Sequence, residues 1–472
     1  MSALPLRLGP SAASLAPGFA RIRSELQIPE AFSAAAEAQA RSAVVAAVAR
    51  ADRRDIDLLT IDPAGSRDLD QAVAIAPWQG GYRVHYAIAD VAAFVVAAGA
   101  IDTEARARGT TIYMPDRRVP LHPPALSEDR ASLLPDQERP ALLWTIDLDA
   151  RGEPTAAGVE RATVRSRRAI SYVEAQAQIE REGAEGTLRL LRDVGRLRIG
   201  IEAARGGMSL TIPVQEVVGE DGRYALRYET PLPVEDWNAQ ISLLTGICAA
   251  RIMADGGIGL FRTLEPADPR DLEALRRSAL ELGVAWPQDA RYPDVVRSLD
   301  PTRSGDAAFA VRATRLFHGA GYVAWRRAGG EDPPVHAAIA SLYAHVTAPL
   351  RRMADRFANE IVLALCAGAP PPSWATQALP EIPAAMAAAA SRERRAERAV
   401  VDYVESAILA GRIGEVFSAT VIDVREGRVT VQLADPAVIA PLDDESAVAG
   451  ERISVRLASA DPQERAVRFR RA

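Results

Sequence analysis

Residues 60–75 read TIDPAGSRDLDQAVAI, and this segment joins two apolar runs through a short acidic loop. The first run ends at Asp62, and the second begins just beyond Asp68 and Asp70. In an extended chain, residues two apart point to one face, so Asp68 and Asp70 should project together, and the loop could fold Asp62 onto them. We therefore predict two strands joined by a short loop, with three carboxylates converging at the junction.

Two interpretations of these carboxylates are open. Clustered carboxylates repel one another and raise their own pKa values unless a cation compensates them. Oxygen ligands without nearby His or Cys favour Mg²⁺, or alternatively Mn²⁺, over zinc. The other interpretation is that Asp68 and Asp70 only cap turns, since Asp is common where loops meet strands. Spacing alone does not separate a metal site from turn capping.

The composition is that of a folded globular protein. The chain has 472 residues, of which 48% are hydrophobic and 25% charged. Cys248 and Cys366 have no CxxC partners, which excludes a disulfide scaffold, a zinc knuckle and an iron–sulfur site. The sequence contains no Lys, which excludes a Lys-dependent P-loop or Schiff base. A net charge of -6 rules out a uniformly basic nucleic-acid coat but leaves room for local Arg tracks.

The order of apolar patterns predicts an α+β fold with three parts: a short helical region (1–55), a large α+β domain (56–410) and a small β-barrel (411–472). Helices are predicted at 172–205, 237–255, 314–328, 339–367 and 384–410. The N-terminus lacks a basic flank before an unbroken apolar core, and there is no apolar run of about 18 residues. Neither a signal peptide nor a membrane span is therefore expected.

Three further segments occur with the acidic loop in a fixed order. Together the four are TIDPAGSRDLDQAV (60–73), YRVHYAIADVAAFV (82–95), GTTIYMPDRRVPLHPPALSEDRASL (109–133) and YAHVTAPLRRMADR (343–356). They resemble the signature blocks of the ribonuclease II and ribonuclease R (RNB-type) family of processive 3′→5′ exoribonucleases. The resemblance covers about residues 45–410, and the tail resembles the family's C-terminal OB-fold RNA-binding domain.

The resemblance implies a sheet wrapped by helices around a channel that admits single-stranded RNA by its free 3′ end. It also implies a cytoplasmic, monomeric, Mg²⁺-dependent hydrolase that releases nucleoside 5′-monophosphates. Asp62, Asp68 and Asp70 match the family's first three acidic positions, which would be catalytic and hold the metal. Gln71 stands where the family usually has a fourth Asp. It can offer an oxygen but no charge, which implies weaker binding of one metal.

The RNA contacts are also carried over from the resemblance. Arg351 matches the arginine at the scissile phosphate, where a guanidinium fork suits the charge of the reaction. Thr347 matches a position near the bound backbone. Tyr113 matches the aromatic that stacks on the 3′-terminal base, a contact worth about 1–3 kcal/mol per base.

Two positions depart from the family pattern. Ile212 aligns with the second clamping aromatic and Gln240 with a sugar-contacting Glu, whereas Glu397 matches a family acidic position. Together with Gln71, these departures keep open a second reading, a non-catalytic RNA-binding protein on the same fold. A phosphodiesterase acting on DNA or small nucleotides is a third reading.

The first 55 residues are too few for the two cold-shock domains that usually precede this catalytic domain. They are expected to form short helices instead. Such helices could contact nucleic acid in the manner of a helix-turn-helix, or simply brace the catalytic domain.

Overall fold

The structure is a computed structural model. It describes residues 15–181, 185–208, 214–220, 223–229, 231–300, 303–313, 316, 319–327, 331–425, 428–433, 435–444 and 446–472. The helices are α1 (Ala16–Glu25), α2 (Ala34–Ser42), α3 (Ala100–Arg108), α4 (Tyr172–Glu180), α5 (Gly186–Arg205), α6 (Pro233–Asp255), α7 (Pro269–Glu281), α8 (Tyr292–Arg297), α9 (Ser304–Ala313), α10 (Met353–Cys366), α11 (Ser373–Ala378) and α12 (Ile382–Leu409). The strands are β1 (Ala51–Asp52), β2 (Leu58–Asp62), β3 (Gln71–Trp78), β4 (Gly81–Ala89), β5 (Ile112–Tyr113), β6 (Arg118–Val119), β7 (Glu138–Leu148), β8 (Pro154–Ser171), β9 (Val214–Glu220), β10 (Arg223–Glu229), β11 (Ile258–Thr263), β12 (Gly321–Arg326), β13 (Val416–Arg425), β14 (Arg428–Leu433), β15 (Ile439–Asp443), β16 (Arg452–Asp461) and β17 (Ala466–Arg471).

The central sheet has the strand order β1-β8-β2-β3-β4-β7. The long strand β8 pairs antiparallel with β7 through its first part and parallel with β2 through its last part, so the sheet curls back on itself. The antiparallel β2–β3 and β3–β4 pairs place the acidic loop at one end of the sheet. The predicted α+β class is confirmed.

Both faces of the sheet are buried, which explains the nearly continuous apolar runs of its strands. One face carries large side chains such as Tyr86 and Trp144, which pack with residues of α5, α6 and α10. The opposite face carries small residues such as Ala72 and Ala87, which pack with α2 and α3. The alternation of large and small residues lets short helices approach one face closely.

The C-terminal strands form a closed barrel in the order β13-β14-β15-β17-β16, which confirms the predicted OB-type barrel. Glu426 and Gly427, the predicted hairpin turn, lie outside the described residues. Phe469 is fully buried and packs edge-on against Phe417, with ring centroids 5.9 Å apart. The Phe469 ring therefore belongs to the core of the barrel.

The two N-terminal helices pack on the large domain. Helix α1 packs on α12, where the rings of Phe19 and Tyr403 are 5.5 Å apart, and α2 packs on α3. The predicted helix over 314–328 is wrong at Gly321–Arg326. These residues form β12, which pairs antiparallel with β11. No helix in the described ranges is long and apolar enough to cross a membrane.

Candidate active site

The acidic loop turns between β2 and β3. Asp62 is the last residue of β2, and Asp68 and Asp70 precede Gln71, the first residue of β3. Gly65 has a φ of 77°, in the left-handed region that glycine adopts without a steric penalty. This glycine allows the short loop to reverse and return toward the sheet.

Residues 347–352 lie against the acidic loop. The main-chain N–H of Leu350 donates to Asp70 Oδ1 at 2.7 Å. Gln71 Nε2 donates to the carbonyl oxygen of Thr347 at 2.6 Å. Asp355, in the first turn of α10, accepts from the N–H of Ala348 at 2.7 Å. The segment is therefore held by the acidic loop on one side and by α10 on the other.

Arg351 projects from this segment toward the carboxylates. Its Nε lies 3.3 Å from Asp70 Oδ2, and its side chain is 35% exposed. Its carbonyl oxygen accepts hydrogen bonds from the Thr111 N–H and the Thr110 hydroxyl, both at 3.0 Å. Because the backbone is anchored and the guanidinium carries five donors, Arg351 can still offer N–H groups to an arriving anion.

A small hairpin holds Asp68. Tyr113 on β5 and Arg118 on β6 are cross-strand partners. The Tyr113 hydroxyl donates to Asp68 Oδ2 at 3.0 Å, and Arg118 Nη1 donates to Asp68 Oδ1. Arg118 Nη2 also lies 3.4 Å from Glu128 Oε1. Both oxygens of Asp68 thus have protein donors.

Sequence reasoning missed Arg118 as a site residue. Its place opposite Tyr113 in the hairpin is visible only in the structure. A hairpin of two-residue strands is too short to be recognised from periodicity.

Burial dominates the electrostatics of the other two carboxylates. Burial raises the pKa of Asp62 to about 7 and that of Asp70 to about 8, although the charge of Arg351 opposes both shifts. The negative charge of Asp68 adds to both increases. Ionised carboxylates are thus costly here unless further positive charge arrives.

The structure brings the three aspartates into one electrostatic neighbourhood. Within the described ranges, however, no group of three or more His, Cys, Asp or Glu side chains is arranged to hold a metal ion. Protein donors contact both oxygens of Asp68 and of Asp70, whereas Asp62 Oδ2 is buried and has no hydrogen-bond partner among the residues that the structure describes. A buried, unpartnered carboxylate oxygen fits a hard cation, and this donor chemistry suits Mg²⁺ or Mn²⁺.

The remaining predicted RNA-binding residues have different surroundings. Thr347 is buried, and its carbonyl oxygen is taken by Gln71. Gln240, on α6, is also buried, and its amide donates to Glu202. Glu397 lies exposed on α12, where partial desolvation by the surrounding protein and the nearby charge of Glu393 raise its pKa to about 6. Ile212 lies outside the described residues.

Comparison with protein families identifies the class of this fold and site. Residues 50–367 match the RNB domain, and residues 415–472 match the RNase II-type exonuclease C-terminal S1 domain. The chain therefore belongs to the RNB family, as its four sequence segments predicted.

The chain is also similar to individual proteins and solved structures. It is 26% identical over 413 residues to Exoribonuclease 2 of Cronobacter sakazakii, an alignment that covers 83% of this chain and 62% of that protein. The structure of Mycoplasma genitalium RNase R in complex with ribose-methylated single-stranded RNA has a TM-score of 0.87 at 19% identity. This match covers 96% of this chain and 77% of that one. Yeast Ssd1, described as a pseudonuclease, has a TM-score of 0.67 at 15% identity, covering 87% of this chain and 51% of that one. The two structural matches establish the fold.

Proposed function

We propose that this protein is a hydrolytic exoribonuclease that degrades single-stranded RNA from its free 3′ end, releasing nucleoside 5′-monophosphates processively. The observation that carries the proposal is the position of Arg351. Its partly exposed guanidinium lies beside buried Asp70 and within the electrostatic reach of Asp62. A guanidinium fork matches the geometry of a phosphate, and a cation placed there can stabilise the charge that develops during hydrolysis of a phosphodiester.

The carboxylates would hold a divalent cation. Asp62, with its unpartnered Oδ2, and Asp70 and Asp68 would be the ligands. Bound there, Mg²⁺ or Mn²⁺ would lower the pKa of the attacking water and offset negative charge at the leaving 3′ oxygen. Gln71 is a weaker candidate ligand, because its amide oxygen carries no charge. Its amide nitrogen donates to the carbonyl oxygen of Thr347.

The chain's own residues would orient the substrate. Arg351 would bind the equatorial oxygens of the scissile phosphate, because a guanidinium stays protonated in a site that raises carboxylate pKa values. Tyr113 would offer its ring to the terminal base, as every base has a face available for stacking. Since its hydroxyl donates to Asp68, base binding and the position of Asp68 would be coupled.

Three further parts of the proposal concern residues and context beyond this centre. Among the other residues that the resemblance assigns to RNA binding, Glu397 is exposed and would contact the RNA, whereas Thr347 and Gln240 are buried. The protein would act as a monomer in the cytoplasm. The chain spans 62% of the length of the curated relative described above. The substrates and partners named here are therefore proposals for this chain.

The proposal is tested with a 5′-labelled oligoribonucleotide and its DNA equivalent, each incubated with the protein and Mg²⁺. A ladder shortening from the 3′ end of the RNA, with release of 5′-monophosphates and little cleavage of DNA, is expected. Cleavage of DNA at the same rate would favour a general phosphodiesterase. Blocking the 3′ hydroxyl of the RNA by a terminal phosphate provides a control for the direction of attack.

The second candidate is a non-catalytic RNA-binding protein on the same fold. Two observations favour it: the neutral Gln71 is engaged by Thr347, and Gln240 is buried against Glu202. Retention of three costly carboxylates beside Arg351 favours the enzyme instead. Tight binding of single-stranded RNA without any cleavage in Mg²⁺ or Mn²⁺ would establish the second candidate.

A further inference from the structure

In the part of the chain that the structure describes, Arg262 of the large domain has no carboxylate partner. Arg262 lies on β11, directly opposite Tyr322 of β12, and its side chain is partly buried. Its guanidinium carbon is 4.8 Å from the centre of the Tyr322 ring. Within the described residues, Arg262 makes no ion pair with any Asp or Glu, so its charge is not neutralised by a direct contact.

The neighbours of Arg262 add positive charge. Burial lowers its pKa, and the nearby Arg352 and Arg394 lower it further. Arg352 is neutralised by Asp355, with Nη2 2.9 Å from Oδ2. A partly buried guanidinium among other cations is unfavourable unless an anion binds it.

Arg262 is anchored to the chain segment that leads to the proposed catalytic arginine, because its main-chain N–H donates to the Tyr343 carbonyl oxygen at 2.9 Å, eight residues before Arg351. Glu393, on α12, is influenced by the positive charges of Arg351, Arg352, Arg394 and Arg262, all of which lower its pKa against the effect of burial. A single carboxylate is therefore within electrostatic range of both Arg351 and Arg262. Helix α12, which carries Glu393, packs on β12, the partner strand of β11.

The aromatic residue under Arg262 is held in place. The Tyr322 hydroxyl hydrogen-bonds to His345 Nδ1 at 2.6 Å, and the two rings pack edge to face with centroids 5.5 Å apart. The main-chain N–H of Arg262 donates to the Tyr343 carbonyl oxygen at 2.9 Å. Arg262 therefore projects from a rigid platform rather than from a mobile loop.

We infer that Arg262, supported by the Tyr322 ring, binds a second phosphate of the same RNA strand, next to the phosphate that Arg351 binds. This inference rests on the proposed function and extends it. The ligand is a phosphodiester of single-stranded nucleic acid, recognised by charge and by the guanidinium fork. In an exonuclease that holds a terminal nucleotide, this second phosphate lies on the 5′ side of the scissile one.

The test is equilibrium binding of a 5′-fluorescein-labelled single-stranded oligoribonucleotide in EDTA, where no divalent ion supports cleavage. Arg262→Gln should weaken binding about tenfold, because one charge-assisted contact is lost. Across a salt series, the slope of log K against log salt should fall by about 0.7, the value for one phosphate contact on a single strand. Arg262→Lys should retain most of the slope, since it keeps the charge.

Arg276→Gln is the matched control. Arg276, on α7, also lies over an aromatic ring, 4.6 Å from the centre of Trp286, but packs in the region of α7 and α9. This variant should bind RNA as the wild type does. Because Arg262 makes no ion pair within the described residues, Arg262→Gln should not lower the melting temperature of the RNA-free protein.

The outcomes separate this inference from the proposed function. Wild-type affinity and salt slope in Arg262→Gln would overturn the second phosphate position and leave the exonuclease proposal standing. A lowered melting temperature with an unchanged salt slope would overturn it as well, by showing that Arg262 is structural. If the wild type neither binds nor cleaves the oligoribonucleotide, the proposed function fails, and the inference fails with it.

Discussion

Asp70→Asn tests whether Asp70 is needed for cleavage and how much the buried, ionised carboxylate destabilises the fold. Asp70 is 2% exposed, and burial raises its pKa from 3.8 to about 8. At about 1.4 kcal/mol per pKa unit, this shift corresponds to an upper bound of about 6 kcal/mol against the ionised form. Relaxation of the surroundings reduces such penalties, so we expect about 2–4 kcal/mol.

The direction of this pKa shift determines how the stability of the two proteins changes with pH. A carboxyl group with a raised folded-state pKa stabilises the fold at acidic pH, and this stability is lost as the pH rises through the folded-state value. In EDTA, the free energy of unfolding of Asp70→Asn should therefore increase relative to wild type as the pH rises from 5 to 8.5. Asn keeps an acceptor for the Leu350 N–H, so the backbone contact at 2.7 Å can persist.

The measurement is urea unfolding of both proteins at pH 5 and pH 8.5, with a cleavage assay in parallel. We expect cleavage to be lost and Mn²⁺ to stabilise the wild type more than the variant. Asp149→Asn is the control, because backbone N–H groups lower the pKa of this exposed carboxyl, most strongly that of Glu153. The free energy of unfolding of Asp149→Asn should differ from that of the wild type by the same amount at pH 5 and at pH 8.5. The reasoning would be wrong if the free energy of unfolding of Asp70→Asn also differed from the wild type by the same amount at both pH values. It would be wrong as well if Asp70→Asn cleaved RNA at the wild-type rate.

Three further substitutions test individual contacts. Arg351→Lys should slow single-turnover cleavage about 10²-fold, because an ammonium group cannot reproduce the guanidinium fork; an unchanged rate would remove Arg351 from the site. Gln71→Asp should lower the free energy of unfolding by about 1–3 kcal/mol, because the Thr347 carbonyl oxygen loses its donor. If Gln71→Asp lowered the Mg²⁺ concentration needed for half-maximal cleavage, residue 71 would be a metal ligand, and its purely structural role would be contradicted. Arg118→Gln should tighten Mn²⁺ binding about tenfold in calorimetry, because Arg118 competes for Asp68; weaker binding would mean that it positions Asp68.

Local sequence was enough to predict the acidic junction. Asp62 ends one apolar run, and Asp68 and Asp70 precede the next, which the structure shows as β2 and β3. Strand alternation after residue 415 likewise predicted the barrel, and four ordered segments predicted the RNB family. These features depend on neighbouring residues, or on motifs whose order is visible along the chain.

The strand at 321–326 was not predictable in this way. Its sequence, GYVAWR, extends a stretch with helical spacing, but in the fold it pairs with β11. Pairing with a partner strand about sixty residues away outweighs a weak local preference, because local propensity is small compared with tertiary contacts. Phe469 is a similar case, since only the closed barrel makes it a core residue.

The sequence by itself therefore determined the junction between β2 and β3, the C-terminal barrel, the family, and the aspartates and arginine proposed for the candidate site. Only the tertiary structure decided which donor meets each carboxylate. The Leu350 N–H reaches Asp70 across 280 residues of sequence, and Arg118 reaches Asp68 across 50. The physical reason is that such contacts depend on how the sheet, the hairpin and α10 pack together. The local pattern of apolar residues does not predict this packing.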